Sequence, residues 1–152
     1  MPDALKHTAA LEQWLAPVFR KAPHLPPKAR QTLVTIAPWL ALVFGVLGVL
    51  AILSTGMLAS MFFSFTMMLG GMTSIALLIA LLASLLSAIL ELLAVKPLLA
   101  RRKTGWNLLF YGMLVSTLSF IANAIIGYGS LVGVVALVIG YWLLFEVREE
   151  YR

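Results

Sequence analysis

Two long stretches of the chain contain no Asp, Glu, Lys, Arg or His. They cover residues 31–90 and 104–145, so the uncharged runs are 60 and 42 residues long. Soluble domains place charges along their surface, whereas a charge in the middle of a bilayer costs about 2.5–3.5 kcal/mol on insertion scales. The pattern therefore predicts an integral membrane protein.

Within these stretches the apolar positions are continuous and do not alternate, as residues 75–90 illustrate. Strands of a membrane barrel alternate apolar and polar positions over about 10 residues. A helix satisfies its backbone hydrogen bonds internally and suits lipid. We therefore predict an all-α fold, an integral membrane four-helix bundle formed by residues 31–152. Its spans are predicted at about 33–53, 75–95, 106–126 and 131–146.

The positive charges predict how the spans are arranged. One basic group lies in the N-terminal region and another in a central loop, and short basic loops stay on the cytoplasmic side. An even number of spans must then separate the two groups, so residues 54–74 are predicted to be an outer interfacial or re-entrant segment, or to extend the neighbouring helices. Both termini are predicted to be cytoplasmic. The two groups are Lys6, Arg20, Lys21, Lys28 and Arg30, and Lys96, Arg101, Arg102 and Lys103.

The first thirty residues have a different character. Their apolar side chains recur at helical spacing, and basic residues flank them, as expected for an amphipathic helix in the membrane interface. Three prolines among residues 23–27 then predict a stiff linker. We expect residues 1–30 to form an interfacial helix followed by this linker. The apolar face contains Leu11, Trp14, Leu15, Val18 and Phe19.

Composition supports the membrane assignment. Hydrophobic residues make up 62% of the chain and charged residues 11%, with a net charge of +5. The basic residues flank apolar spans, so the charge is attributed to topology and contact with anionic lipid, and no nucleic-acid partner is expected. The chain has no cysteine, which excludes disulfides and thiolate metal sites.

Small and hydroxyl residues recur at spacings of three and four along the predicted spans. Such residues let helix backbones approach closely, and an amide can form hydrogen bonds between helices. We expect them to form the helix–helix seams. The helix-packing candidates are Ala76, Ala80, Ser84, Ala88, Gly112, Ser116, Asn123, Gly133 and Gly140.

Methionine and phenylalanine are concentrated in residues 54–74. Five of the seven methionines lie within sixteen residues. Thioethers can bind Cu(I), but methionine beside phenylalanine more often forms an adaptable apolar contact surface. We expect a surface that docks another membrane protein or a second copy. The partner-docking candidates are Met57, Met61, Phe62, Phe65, Met68 and Met72.

Glu91 is the only charged residue embedded in a predicted span. An acid within the membrane is a functional candidate by default. It lies five residues before Lys96, so pairing with Arg101 or Arg102, or reaching towards water, is the simpler interpretation. His24, like His7, has no carboxylate or cysteine at ligand spacing and is expected to be solvated.

The last fifty residues carry a resemblance. The segments GWNLLFYGMLVSTLSF and VALVIGYWLLFEVREEYR resemble the C-terminal hairpin of small bacterial four-span inner-membrane proteins of unknown function. The resemblance implies a compact protein of the bacterial inner membrane and no particular activity. It is carried by Trp106, Tyr111, Gly140, Tyr141, Leu143, Phe145 and Arg148.

Three classes of function are compatible with this pattern. The chain has no phosphate-binding loop, no metal-ligand cluster and no nucleophile–base pair, so we expect neither an enzyme nor a bound cofactor or metal. The expected function is a non-catalytic accessory or scaffold protein that packs with itself or with subunits of a larger membrane complex. The alternatives are a small oligomeric transporter or channel and, less favoured, a copper-handling protein based on methionine.

Overall fold

The computed structural model describes residues 24–69, 71–125, 127 and 129–151, together with Leu15 and Pro17. Side chains are described for these residues except 55–74, 76 and 77. The described chain is helical and contains no strand, which confirms the all-α prediction. The helices are α1 (Pro27–Leu69), α2 (Gly71–Leu99), α3 (Lys103–Ile125) and α4 (Leu131–Glu146), followed by a short 3-10 turn at Arg148–Glu150.

Four helices of the described chain are long and apolar enough to cross a membrane, as the sequence predicts. The corresponding segments are Pro27–Ser54, Leu78–Leu99, Lys103–Ile125 and Leu131–Glu150. Each exceeds the roughly 17 residues that a helical span needs at minimum. The predicted interfacial helix within residues 1–30 lies outside the described residues, apart from Leu15 and Pro17. Leu15 packs against the core.

The first helix is much longer than a single span requires. It contains 43 residues, so it is about 65 Å long at 1.5 Å per residue, whereas the hydrocarbon core of a bilayer is about 30 Å thick. Its backbone stays helical through residues 55–69, and α2 begins at Gly71. Residues 54–69 therefore extend α1, while the predicted interfacial or re-entrant position of this segment in lipid stays a prediction.

The turn between α2 and α3 is fixed by backbone hydrogen bonds. The Arg102 N–H donates to the carbonyl of Pro97 at 2.9 Å, and the Arg101 N–H donates to the carbonyl of Leu98 at 2.9 Å. These two bonds form a Schellman motif, which needs a left-handed residue after the helix. Arg101 occupies that position with φ 50°.

A glycine lets α3 start close against the end of α2. A Cβ atom on Gly105 would lie 2.7 Å from the nitrogen of Leu98 and 2.9 Å from the carbonyl carbon of Pro97. Backbone atoms cannot move aside as a side chain can. Any larger residue at position 105 would therefore push the two helices apart at the turn.

In the bundle α2 packs against both α1 and α3, α4 packs against α3 over a smaller area, and the start of α1 contacts the end of α4. The main hydrophobic cluster lies at the end of the bundle that carries the α2–α3 turn. At its centre Trp106 stacks on Phe110 with a centroid distance of 5.4 Å, and the Trp106 Nε1–H donates to the carbonyl of Leu144 at 2.7 Å. This bond satisfies a carbonyl in the last turn of α4, where helical partners run out.

Candidate functional site

Serine hydroxyls form a polar seam between α2 and α3. The Oγ atoms of Ser84 and Ser119 lie 2.8 Å apart, and Ser119 Oγ–H donates to the carbonyl of Ala80 at 3.0 Å. One turn further along, the Oγ atoms of Ser87 and Ser116 lie 2.7 Å apart. The two serine pairs replace apolar packing with hydrogen bonds at the centre of the α2–α3 contact.

Ser87 has more possible partners than its single proton can serve. Besides Ser116, its Oγ lies 3.1 Å from the carbonyl of Gly112 and 3.4 Å from Oε1 of Glu91. A hydroxyl donates one hydrogen bond. The shorter contact with Gly112 competes for that proton, so Glu91 receives at best a weak, shared hydrogen bond from Ser87.

Glu91 lies within α2, one turn after Ser87. Leu99, the last residue of α2, follows eight positions later, which places Glu91 about 12 Å from the end of the helix at 1.5 Å per residue. The ion pairs recorded among the described residues involve Glu146, and none joins Glu91 to Arg101 or Arg102. In the described part of the chain the hydrogen-bond donor near its carboxylate is Ser87.

Two cavities meet at Glu91. The first has a volume of about 320 Å³ and combines the serine seam with α1. The second has a volume of about 230 Å³, is almost entirely apolar, and lies between α1, α3 and α4. Phe44 and Glu91 line both cavities. The other described residues that line the first cavity are Gly48, Ser84, Ser87, Ala88, Ser116 and Ser119.

The predicted packing residues fall into two groups in the structure. Ala80 and Ala88 are buried along α2, and Gly112 faces Ser87 with Ser84 and Ser116 nearby. On α4, Gly133 lies against Phe120 and Gly140 lies against Met113. The amide of Asn123 donates to the carbonyl of Ser119 at 2.9 Å, a bond within α3. The side chain of Ala76 lies outside the described residues.

The predicted docking residues, Met57 to Met72, belong to α1 and α2, and their side chains also lie outside the described residues. Neither the docking surface nor a Cu(I) site is therefore tested. Among the residues whose side chains are described, no group of three or more His, Asp or Glu side chains could hold a metal ion.

A buried ion cluster at the end of α4 was not predicted from the sequence. Glu146, with 3% of its side chain exposed, accepts from Arg30 Nη2–H at 2.9 Å and from the Leu25 N–H at 3.0 Å. Its second oxygen lies 3.1 Å from Nδ1 of His24. The expectation that His24 is simply solvated overlooked this carboxylate, which is 122 positions away in sequence.

Comparison with family models, with curated proteins and with solved structures gave no match for this chain. The candidate site therefore has to be interpreted from its own chemistry. That chemistry is a single carboxylate and four hydroxyls among helices that are long and apolar enough to cross a membrane, next to an apolar cleft.

Proposed function

We propose that this chain is a non-catalytic multi-pass membrane protein that packs with itself or with a larger membrane complex. The observation that carries the proposal is the one-sided packing of α4, which contacts chiefly α3. Its outer face consists mostly of β-branched residues, with Leu131 and Ala136 among them. The exposed members of this outer α4 face are Leu131, Val132, Val134, Val135, Val138 and Ile139.

The chemistry of the outer α4 face supports a helix partner in addition to lipid. Valine and isoleucine have one strongly preferred χ1 rotamer in a helix, so they lose little side-chain freedom when another helix covers them. Ala136 is exposed between Val132 and Ile139. A small residue flanked by such side chains allows a second helix to approach closely.

Cysteine cross-linking tests this proposal directly, because the chain has no cysteine of its own. Val135→Cys lies on the outer α4 face and is 55% exposed, and Leu82→Cys on α2 is a matched control at 59%. In membranes we expect Val135→Cys, and not Leu82→Cys, to form a disulfide dimer or a cross-link to a co-purifying subunit. Ala136→Trp should abolish the cross-link, while Leu82→Trp should not.

Monomeric behaviour would overturn the proposal. If light scattering in mild detergent gives the monomer mass, no subunit co-purifies and Val135→Cys forms no cross-link in membranes, the outer α4 face contacts only lipid.

A small oligomeric transporter or channel is the second candidate, and one specific observation favours it. Glu91 and four serine hydroxyls line a cavity in the spans, where ionisable residues often mark a pathway. Uptake of a cation or of protons into proteoliposomes, lost in Glu91→Gln, tests this function. Unchanged uptake in that variant would exclude a pathway through this cavity.

We also propose that the protein resides in a bacterial inner membrane with both termini in the cytoplasm. The resemblance of the last fifty residues and the basic flanking regions support this location. In the structure His24, which precedes α1, and Arg30, in the first turn of α1, both contact Glu146 at the end of α4, so these segments lie at the same end of the bundle.

A further inference from the structure

We propose that Glu91 and the serine seam bind the charged group of a lipophilic organic cation, and that the apolar part of this ligand fills the cleft between α1, α3 and α4. This inference goes beyond the proposed packing function and does not depend on it. It starts from the position of Glu91, which lines both a hydroxyl-rich cavity and an apolar one.

The first step concerns charge. Glu91 is the only titratable residue among the described residues that line the two cavities, and none of these residues is Lys, Arg or His. A carboxylate in a medium of low dielectric needs a counter-charge or a proton. In the described part of the chain, both ion pairs involve Glu146, and neither places a basic side chain against Glu91. A cationic ligand would supply that charge.

The second step concerns hydrogen bonding. The serine hydroxyls pair with one another and with the carbonyls of Ala80 and Gly112. Their protons are therefore largely committed, while their oxygens retain lone pairs that can face a cation. An anion placed here would meet the carboxylate and oxygen acceptors, which disfavours it.

The third step concerns the nature of the cation. A divalent metal ion generally takes several oxygen ligands, often more than one of them a carboxylate, and this site offers one carboxylate. Beside Glu91 lies the apolar cleft of about 230 Å³, which an inorganic ion would leave empty. An organic cation can use both. Phe44, which lines both cavities, adds an aromatic ring of the kind that attracts cations.

The fourth step concerns size and access. Binding pockets for small organic ligands have volumes of about 300–1,000 Å³, and the cavities of about 320 Å³ and about 230 Å³ adjoin at Phe44 and Glu91. The apolar cleft is bordered by exposed residues such as Leu40 on the lipid-facing side of α1. A lipophilic cation could therefore enter from the bilayer.

The test measures binding of tetraphenylphosphonium to the full-length protein in nanodiscs of zwitterionic lipid by equilibrium dialysis. We expect saturable binding by the natural chain. Glu91→Gln keeps the side-chain shape and should weaken binding by about tenfold or more, the scale of a lost coulombic attraction between opposite charges in a medium of reduced dielectric. Glu149→Gln, an exposed acid outside the site, is the matched control and should bind like the natural chain.

Two further measurements separate the site from general apolar adsorption. Triphenylmethane, a neutral probe with three of the same rings and no hydrogen-bond acceptor, should bind equally to the natural chain and to Glu91→Gln. Binding of the cation should weaken as the pH is lowered, because a proton competes for the carboxylate. Glu91→Gln should show no such dependence, since no other titratable side chain is found among the described cavity residues.

A second variant covers the case in which Glu91→Gln does not fold. Ala37→Phe adds a ring to the wall of the apolar cleft and leaves Glu91 in place, and it should also reduce binding of the cation. The proposal is overturned if both folded variants bind like the natural chain. It is equally overturned if the neutral probe shows the same dependence on Glu91 as the cation. These outcomes are independent of the cross-linking test on α4.

Discussion

At the scale of single residues, Tyr151 combines burial with an unused hydroxyl. It is 4% exposed, and its OH has no hydrogen-bond partner among the described residues. Burial raises the pKa of the Tyr151 hydroxyl to about 12, and the nearby charge of Arg101 opposes this only in part. The folded protein therefore favours the neutral phenol over the phenolate.

This raised pKa makes stability depend on alkaline pH. An unfolded tyrosine ionises near a pKa of about 10. The contribution of the neutral Tyr151 hydroxyl to the free energy of unfolding is therefore fully present below pH 10 and is lost as the pH rises towards 12. Tyr151→Phe should match or exceed the natural chain in thermal stability at neutral pH, because it removes a buried unsatisfied hydroxyl. It should also lose less stability between pH 9 and 11. Equal loss in both proteins would contradict the assignment.

Arg101 provides a second prediction at this scale. Its φ of 50° lies in the left-handed region, which costs a residue with a Cβ atom about 1–2 kcal/mol, and glycine is free of that cost. Arg101→Gly should therefore raise the free energy of unfolding in detergent by up to about 1 kcal/mol, after the greater entropy of unfolded glycine is subtracted. Arg102→Gly removes the same charge at a position without positive φ and should give no gain. Equal effects would mean that charge, not backbone strain, decides stability at this turn.

The buried pair of Glu146 and Arg30 is the third residue-scale case. Glu146→Gln would leave Arg30, with 25% of its side chain exposed, without its charged partner. We expect a loss of about 2 kcal/mol, below the 3–5 kcal/mol of a fully buried pair because water still reaches Arg30. The pair Arg30→Met and Glu146→Gln, measured singly and together, should be non-additive. Additive losses would show that the contact contributes little.

At the scale of helices, the elements that follow from continuous apolar stretches could be predicted from the sequence. Contacts between residues that are far apart in the sequence could not. The four helices long and apolar enough to cross a membrane follow from the uncharged runs, so their existence was predictable. The extension of α1 to Leu69 was harder to predict, because Gly56 and the nearby hydroxyls resemble a break. Glycine costs only about 1 kcal/mol relative to alanine in a helix, and no proline occurs between Pro38 and Leu69 to stop it.

In the candidate site, too, residues marked by a local pattern were predicted and contacts between distant residues were not. The small-residue spacing identified Ser84 and Ser116, and the isolated charge identified Glu91. The spacing did not identify Ser87, although its hydroxyl lies 2.7 Å from that of Ser116. The Arg30–Glu146 contact joins residues 116 positions apart. No local pattern encodes such a pair; only the predicted even number of spans indicated that these two regions could meet.

Close approach of α2 and α3 gives a prediction at the scale of helices. Ala80 is 4% exposed, and its carbonyl accepts from Ser119. Ala80→Leu would insert three carbons into this contact, and overpacking of this kind costs about 1–3 kcal/mol. Leu82 on the same helix is 59% exposed, so Leu82→Ala should cost much less. Thermal aggregation in detergent measures both. The reverse ranking would mean that the α2–α3 seam tolerates separation.

At the scale of the whole molecule, three chain segments meet at one end of the bundle. His24 and Arg30 contact Glu146, and Trp106 donates to the carbonyl of Leu144. The start of α1 with the residues just before it, the start of α3 and the end of α4 therefore share one side of any membrane that the bundle crosses. This geometry agrees with an even number of crossings between the two basic regions, and the positive charge of both predicts that this side is the cytoplasm.

Single cysteines at Lys28, Lys103, Glu149 and Tyr128 test this arrangement with an impermeant thiol reagent. The first three belong to the shared end of the bundle, and Tyr128 lies in the α3–α4 connection. In intact cells we expect labelling only at Tyr128, with the other three labelled after the membrane is opened. If the other three positions were labelled in intact cells and Tyr128 was not, the three would still lie on one side of the membrane, but that side would be the outside. Different accessibility of Lys28 and Lys103 would contradict the contacts themselves, because the Arg30–Glu146 pair and the Trp106–Leu144 bond cannot form across a bilayer.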